Sequence, residues 1–152
     1  MKIGKYTTLE NICKSETAIR HDIENIPDAH QLFALKLLVE KVYDPLCDHF
    51  QRAIPISSGF RSFTINKMIG GARSSQHTKG EAVDLDMDNT GSPITNSALF
   101  YYIFFNIKFD QLIWEYGTDQ NPAWVHVSFS ANQQRMQVLK IKKGGHYEPF
   151  IP

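Results

Sequence analysis

The sequence has no surplus of either charge: sixteen lysines and arginines balance sixteen aspartates and glutamates, for a formal net charge of zero. A chain that met nucleic acid or an anionic membrane as its main partner would carry a basic excess, so no nucleic acid is expected as partner. Long apolar runs are missing as well. No stretch approaches the roughly eighteen residues that cross a bilayer, and no membrane segment is expected. The opening MKIGKYTTLENICKSE has no apolar core of signal-peptide length, so the expectation is synthesis in the cytoplasm without a signal peptide. Cysteine is scarce. Cys13 and Cys47 show no CxxC spacing, which excludes a disulfide framework and a thiolate zinc site, and both are expected to be reduced structural thiols. Internal repeats, low-complexity tracts and linker-like regions are absent too.

What is present suffices for one core. The 152 residues are 42% hydrophobic, too apolar for disorder and most simply one domain spanning 1–152. After an irregular opening, Pro27-Asp28 marks a helix start. Leu32, Leu35, Val39, Val42 and Leu46 then recur at steps of three and four, a helical face that Phe33, Leu37, Tyr43 and Phe50 widen. Pro45 should kink or stop this helix near its end. A short strand (PISS) leads into a turn at Gly59, a brief helix over 64–69 closes at Gly70-Gly71, and a hairpin follows around Gly80. Ser92-Pro93 opens a second helix whose aromatic run, Phe100 to Phe105, reads as core. FDQLIWEY (109–116) and AWVHVSF (123–129) read as strands, 135–143 as a further strand, and the rest as a loose end. Helices in front and strands mostly behind indicate an α+β fold.

The chemistry lies in strand periodicity. In AVDLDM, Val83, Leu85 and Met87 point to the core while Ala82, Asp84 and Asp86 point away. In WVHVS, Val125 and Val127 are buried and Trp124, His126 and Ser128 face the other side. Gly80 lets the chain turn back so that His77 and Asp84 reach a common point. Zinc takes imidazole nitrogen and carboxylate oxygen, and a hydrolytic site uses three protein ligands with one position left to water. His77, Asp84 and His126 fill that quota. Water held there is acidified towards neutrality, and amide hydrolysis further needs a general base and a donor at the developing oxyanion.

These residues fall in the order Ser75-x-His77-x-x-Gly80-x-Ala82-x-Asp84, with SSGFRS upstream and WVHVSF downstream. The set resembles the zinc D-alanyl-D-alanine peptidases of peptidoglycan metabolism, a family that includes L-alanyl-D-glutamate endopeptidases and shares its fold with the hedgehog signalling domain. The stretch from Thr17-Ala18-x-Arg20 to Pro45-Leu46 is similar to a phage-associated branch, so the resemblance covers nearly the whole chain. It implies a small antiparallel sheet carrying a Zn²⁺ site with helices packed against it, and His77, Asp84 and His126 as zinc ligands. Arg61 matches the arginine that steadies the scissile carbonyl or a substrate carboxylate, and its fixed charge and planar fork suit that task. Ser75 matches a serine that contacts substrate backbone.

One position departs from the better-known pattern. Where many relatives carry a carboxylate three residues before the last histidine, this chain has Ala123. Glu115, in the LIWE context that similar phage-type members share, takes the role of base, with Asp119 on the following loop as the next candidate. Other polar residues have ordinary readings. His21, His30, His49 and His146 are surface or structural, Lys79 and Glu81 are solvated hairpin charges, and Asp86 is an acceptor behind the ligands or a solvated charge. Trp114 and Trp124 flank the site; packing is the usual role of a strand aromatic, and Trp124 is also a substrate-contact candidate. The expected function is zinc-dependent hydrolysis of an amide in peptidoglycan stem peptides, carboxypeptidase or endopeptidase. The expected form is a monomer that acts at the cell wall after release, as in phage or prophage lysis. The alternative is a non-catalytic zinc module or phage structural component that retains the fold.

Overall fold

The computed structural model describes residues 1–152. Two short helices, α1 (Leu9–Ile12) and α2 (Glu16–Arg20), occupy the opening that sequence alone left irregular. Thr8 and Ser15 cap them by accepting from Asn11 N and Ala18 N. Asp28 starts α3 (Ala29–Leu38) through a capping box with Gln31, as the Pro27-Asp28 signal predicts.

Pro45 does not stop this helix. The chain widens into a π-helical turn over Val39–Tyr43, where the N–H of Asp44 bonds to the carbonyl of Val39, and then continues as α4 (Asp44–Phe50). The wider turn places Pro45 in the first turn of a new α segment, where a missing N–H costs little. Leu35, Leu38, Val39, Val42, Tyr43, Leu46 and Cys47 are buried, whereas Phe33 is exposed and does not widen the apolar face. Cys13 and Cys47 are free thiols, and burial pushes each up to about 11.

The remaining elements are β1 (Ile56–Ser58), α5 (Phe63–Met68), β2 (Ala82–Leu85), α6 (Asn96–Asn106), β3 (Gln111–Glu115), β4 (Trp124–Ser128), β5 (Gln137–Ile141) and β6 (Tyr147–Pro149). The fold is α+β, but the sheet is mixed and not antiparallel throughout. Its order is β1-β2-β4-β3-β5-β6, and β5 runs parallel to β3 because residues 129–136 carry the chain past β4 and β3 to the far edge. The supposed loose end supplies β6, paired with β5.

Helix α6 begins at Asn96, capped by Thr95, later than Ser92-Pro93 suggested. Asn96 is fully buried and ties three segments together: its Oδ1 accepts from Met87 N, and its Nδ2 donates to Asp86 Oδ1 and to the carbonyls of Pro122 and Ala123. It thereby fixes the end of β2 against the start of β4. The aromatic run on α6 is only half core, with Phe100 buried and Tyr101 and Phe105 exposed.

One sheet face carries Val83, Leu85, Leu112, Trp114, Val125 and Val127 into a core shared with α3, α4 and α6. Alternation then sends Asp84, Glu115 and His126 to the opposite face.

Candidate metal centre

Asp84 and His126 stand directly opposite each other on antiparallel β2 and β4. Cross-strand partners have Cβ atoms about 5 Å apart, so two short polar side chains there must meet. His126 Nδ1 lies 3.0 Å from Asp84 Oδ1. The third residue arrives by a different device. His77 is carried not on a hairpin but on a 3₁₀ turn, Gln76–Lys79, which Ser75 opens by accepting from His77 N and which ends at Gly80 in the left-handed conformation, φ +74°. A Cβ on residue 80 would lie 2.5 Å from the Gln31 carbonyl of α3, so glycine is needed for both backbone angle and space.

The SSGFRS segment holds His77 from behind. His77 Nδ1–H donates to the Gly59 carbonyl at 2.8 Å, and Arg61 N donates to the His77 carbonyl at 3.2 Å. The first bond leaves Nε2 as the ring atom that faces Asp84 Oδ1, 3.3 Å away, and with the ring neutral that atom carries the lone pair a metal would take. Gly59 itself packs so close to α1 that a Cβ would meet the Ile12 carbonyl at 2.1 Å. The sequence pointed to Arg61 in this motif but not to the Gly59 carbonyl, because a backbone acceptor leaves no mark in residue type.

His77, Asp84 and His126 offer ligand atoms that all lie within 4.8 Å of one another. Tetrahedral zinc with bonds of about 2.0–2.1 Å has ligand–ligand edges of about 3.3 Å. The two distances to Asp84, 3.3 and 3.0 Å, match that spacing. Two nearly buried imidazoles around one carboxylate also suit a dication chemically. The donor set fits zinc.

Glu115 joins the cluster from β3. Its backbone partner on β4 is Trp124, with Ile113 opposite His126, so Glu115 reaches the histidine diagonally. Its Oε1 lies 3.9 Å from His126 Nδ1. Burial, and then the Asp84 charge, push the Glu115 carboxyl up to about 7. Arg61 is half-buried beside the same space, and its Nε makes no hydrogen bond within the protein.

Asp119 is not brought to the cluster. It is exposed, pairs with Lys140 at 2.6 Å and lines a separate hollow. Asp86 is likewise engaged elsewhere, with Asn96. Glu81 is no free hairpin charge, since its Oε1 accepts from Ser130 Oγ at 3.0 Å. Trp114 is core, its indole N–H donating to the Thr118 carbonyl, while Trp124 packs on Tyr116 and lines the cleft. That cleft, about 690 Å³, holds the cluster together with Arg61, Ser75 and Lys79.

The raised Glu115 carboxyl has a measurable consequence in metal-free protein. Between pH 4.5 and about 7 the folded state holds a proton there that the unfolded state has released, so stability must fall as pH rises. The shift from 4.5 to about 7 corresponds to about 3 kcal/mol. Urea denaturation of chelator-treated protein should show that decline between pH 5 and 8, and Glu115→Gln should remove it.

A sequence model of one family, described as Peptidase M15, matches residues 5–128. A search of curated protein sequences found no significant match.

Proposed function

The chain belongs to the peptidase M15 family of zinc peptidases, and on that premise we propose that it hydrolyses an amide bond in peptidoglycan stem peptides. The observation that supports this reading is the position of Glu115 beside the His77–Asp84–His126 cluster, its Oε1 3.9 Å from His126 Nδ1, where the reading needs a proton acceptor.

In this mechanism His77, Asp84 and His126 hold Zn²⁺, which when bound supplies Lewis acidity towards a carbonyl oxygen and towards water. Glu115 Oε1 takes the proton of the attacking water and later gives it to the leaving amine. A carboxylate at that position can act in both directions, accepting a proton from water and returning it to the amine. The guanidinium of Arg61, which lines the cleft beside the cluster, donates to the oxygen that gains charge as the carbonyl becomes tetrahedral. Trp124 offers an apolar surface for the peptide. Ser75, whose hydroxyl already accepts from His77 N, keeps its donor proton for substrate backbone.

We further propose that the chain acts as a single-domain monomer at the cell wall, where that substrate lies. The similarity of residues 17–46 to phage-associated members supports a phage or prophage lysis setting. Incubation of the zinc-loaded protein with sacculi should release soluble muropeptides, and a chelator should abolish release. Mass spectrometry of the products names the bond cut and separates carboxypeptidase from endopeptidase action. Stoichiometric zinc without any product would favour a non-catalytic module instead.

A further inference from the structure

Residues 129–152 lie beyond the family match, yet they build part of the cleft wall through Arg135, Leu139 and Tyr147. Arg135 is held in an unusual way. Its partner Asp110 is fully buried at the start of β3, and the two groups make a fork: Arg135 Nε to Asp110 Oδ1 and Nη2 to Oδ2, each 2.8 Å. Asp110 also accepts from Arg135 N at 3.1 Å and from Gln76 Nε2 at 2.9 Å. Gln76 is the neighbour of His77 on the 3₁₀ turn, so one buried carboxylate sets both the turn that bears His77 and the plane of the Arg135 guanidinium.

A guanidinium has five N–H donors, and this fork uses two. The Arg135 side chain remains 45% exposed. A long flexible cation normally gives up rotamer entropy when it binds, and one already locked by a buried carboxylate has little left to lose. The charges around it point to the kind of ligand. The cleft is lined by three cations, Arg61, Lys79 and Arg135, and by two acids, Asp84 and Glu115, both of which belong to the histidine cluster. Away from the cluster the lining itself presents Lys79 and Arg135 and no acid, because Asp110, the partner of Arg135, lies fully buried behind it.

We propose that Arg135 determines specificity by binding a carboxylate of the substrate peptide away from the scissile bond, with Asp110 as its positioning residue. The inference rests on the hydrolase reading above. Its ligand is either the terminal α-carboxylate of the peptide or a carboxylate within it, and the test separates the two.

Stem-type peptides would be compared as free acids and as amides, with amidation at the C-terminus in one series and at the internal carboxylate in the other. One series should show an acid-over-amide preference in kcat/KM of about 10- to 100-fold, the range of a charge-assisted hydrogen bond. Arg135→Gln should bring that ratio to within about threefold of unity while the other series keeps its ratio. The double variant Arg135→Gln/Asp110→Asn, which leaves no buried lone carboxylate, should do the same and guards against misfolding of the single one. Calorimetric binding of the same peptides to zinc-loaded Glu115→Gln protein, with and without Arg135→Gln, gives a readout that does not need turnover. Acid preference that survives both Arg135 variants, or that is missing from the wild type in turnover and binding alike, overturns the proposal. Peptides that bind with Arg135-dependent acid preference but are never cleaved would support it while sinking the hydrolase reading.

Discussion

Glu115→Gln is expected to lower kcat on a stem peptide by about 10²- to 10⁴-fold, with zinc content and folding preserved. Glutamine keeps the size of the side chain and its place on β3, so the cross-strand pair with Trp124 and the packing around Ile113 persist. What it loses is the ability to accept and return a proton. Because Glu115 stands 3.9 Å from His126 Nδ1 and is not one of the three close ligand atoms, metal affinity should change little. The pH profile gives an independent check. A base must be ionised, so the rate should rise with pH through the Glu115 pKa; a bound dication favours the carboxylate and moves that limb below the value of about 7 set by burial and Asp84. The residual rate of the variant should lack the limb. Turnover that survives the substitution with its acid limb intact would assign the proton to another group. Asp119 is poorly placed for that, being exposed and paired with Lys140.

The meeting of Asp84 and His126 was legible because it rests on alternation. Once Val83, Leu85, Val125 and Val127 are assigned to the core, the faces of Asp84 and His126 follow, and the structure has all four valines and leucines fully buried. Glu115 was legible as the end of a strand paired across a hairpin beside His126, but its diagonal reach was not, since that depends on a register in which Ile113 takes the opposite position. Three features escaped the sequence for separate reasons. The π turn that carries the chain past Pro45 is a property of backbone winding, and residue periodicity records it only weakly. The parallel pairing of β5 with β3 depends on where residues 129–136 travel, and a strand pattern says nothing about its partner. The contribution of Arg135 to the cleft depends in turn on that crossover and on Asp110, which reads in FDQLIWEY as an ordinary polar residue at a strand start. Local pattern thus gave the side-chain faces, and long-range topology decided which of them share the cleft.

Asp84→Asn should reduce zinc affinity by at least about 100-fold and take hydrolysis with it, since even groups behind a ligand cost 10- to 100-fold when altered. Asparagine is nearly isosteric and can still lie against His126 across β2 and β4, so the sheet should form. The charge is what matters. Asp84 Oδ1 sits 3.3 Å from His77 Nε2 and 3.0 Å from His126 Nδ1, and no other carboxylate comes as close to both imidazoles. Burial pushes the Asp84 carboxyl up, but the two histidines outweigh it and hold the group below the usual range. The folded state therefore binds this proton less readily than the unfolded chain, and stability due to Asp84 is present above pH 3.8 and lost on further acidification. Metal-free wild type should thus gain stability from strongly acid solution up to about pH 4–5 through Asp84 and then lose it towards pH 8 through Glu115. In Asp84→Asn the acid-side rise should flatten. The alkaline decline should also shrink, because the Asp84 charge is the second cause of the raised Glu115 carboxyl. Zinc titration and denaturation across pH on the same variant would test both statements, and wild-type zinc affinity in Asp84→Asn would place the metal elsewhere.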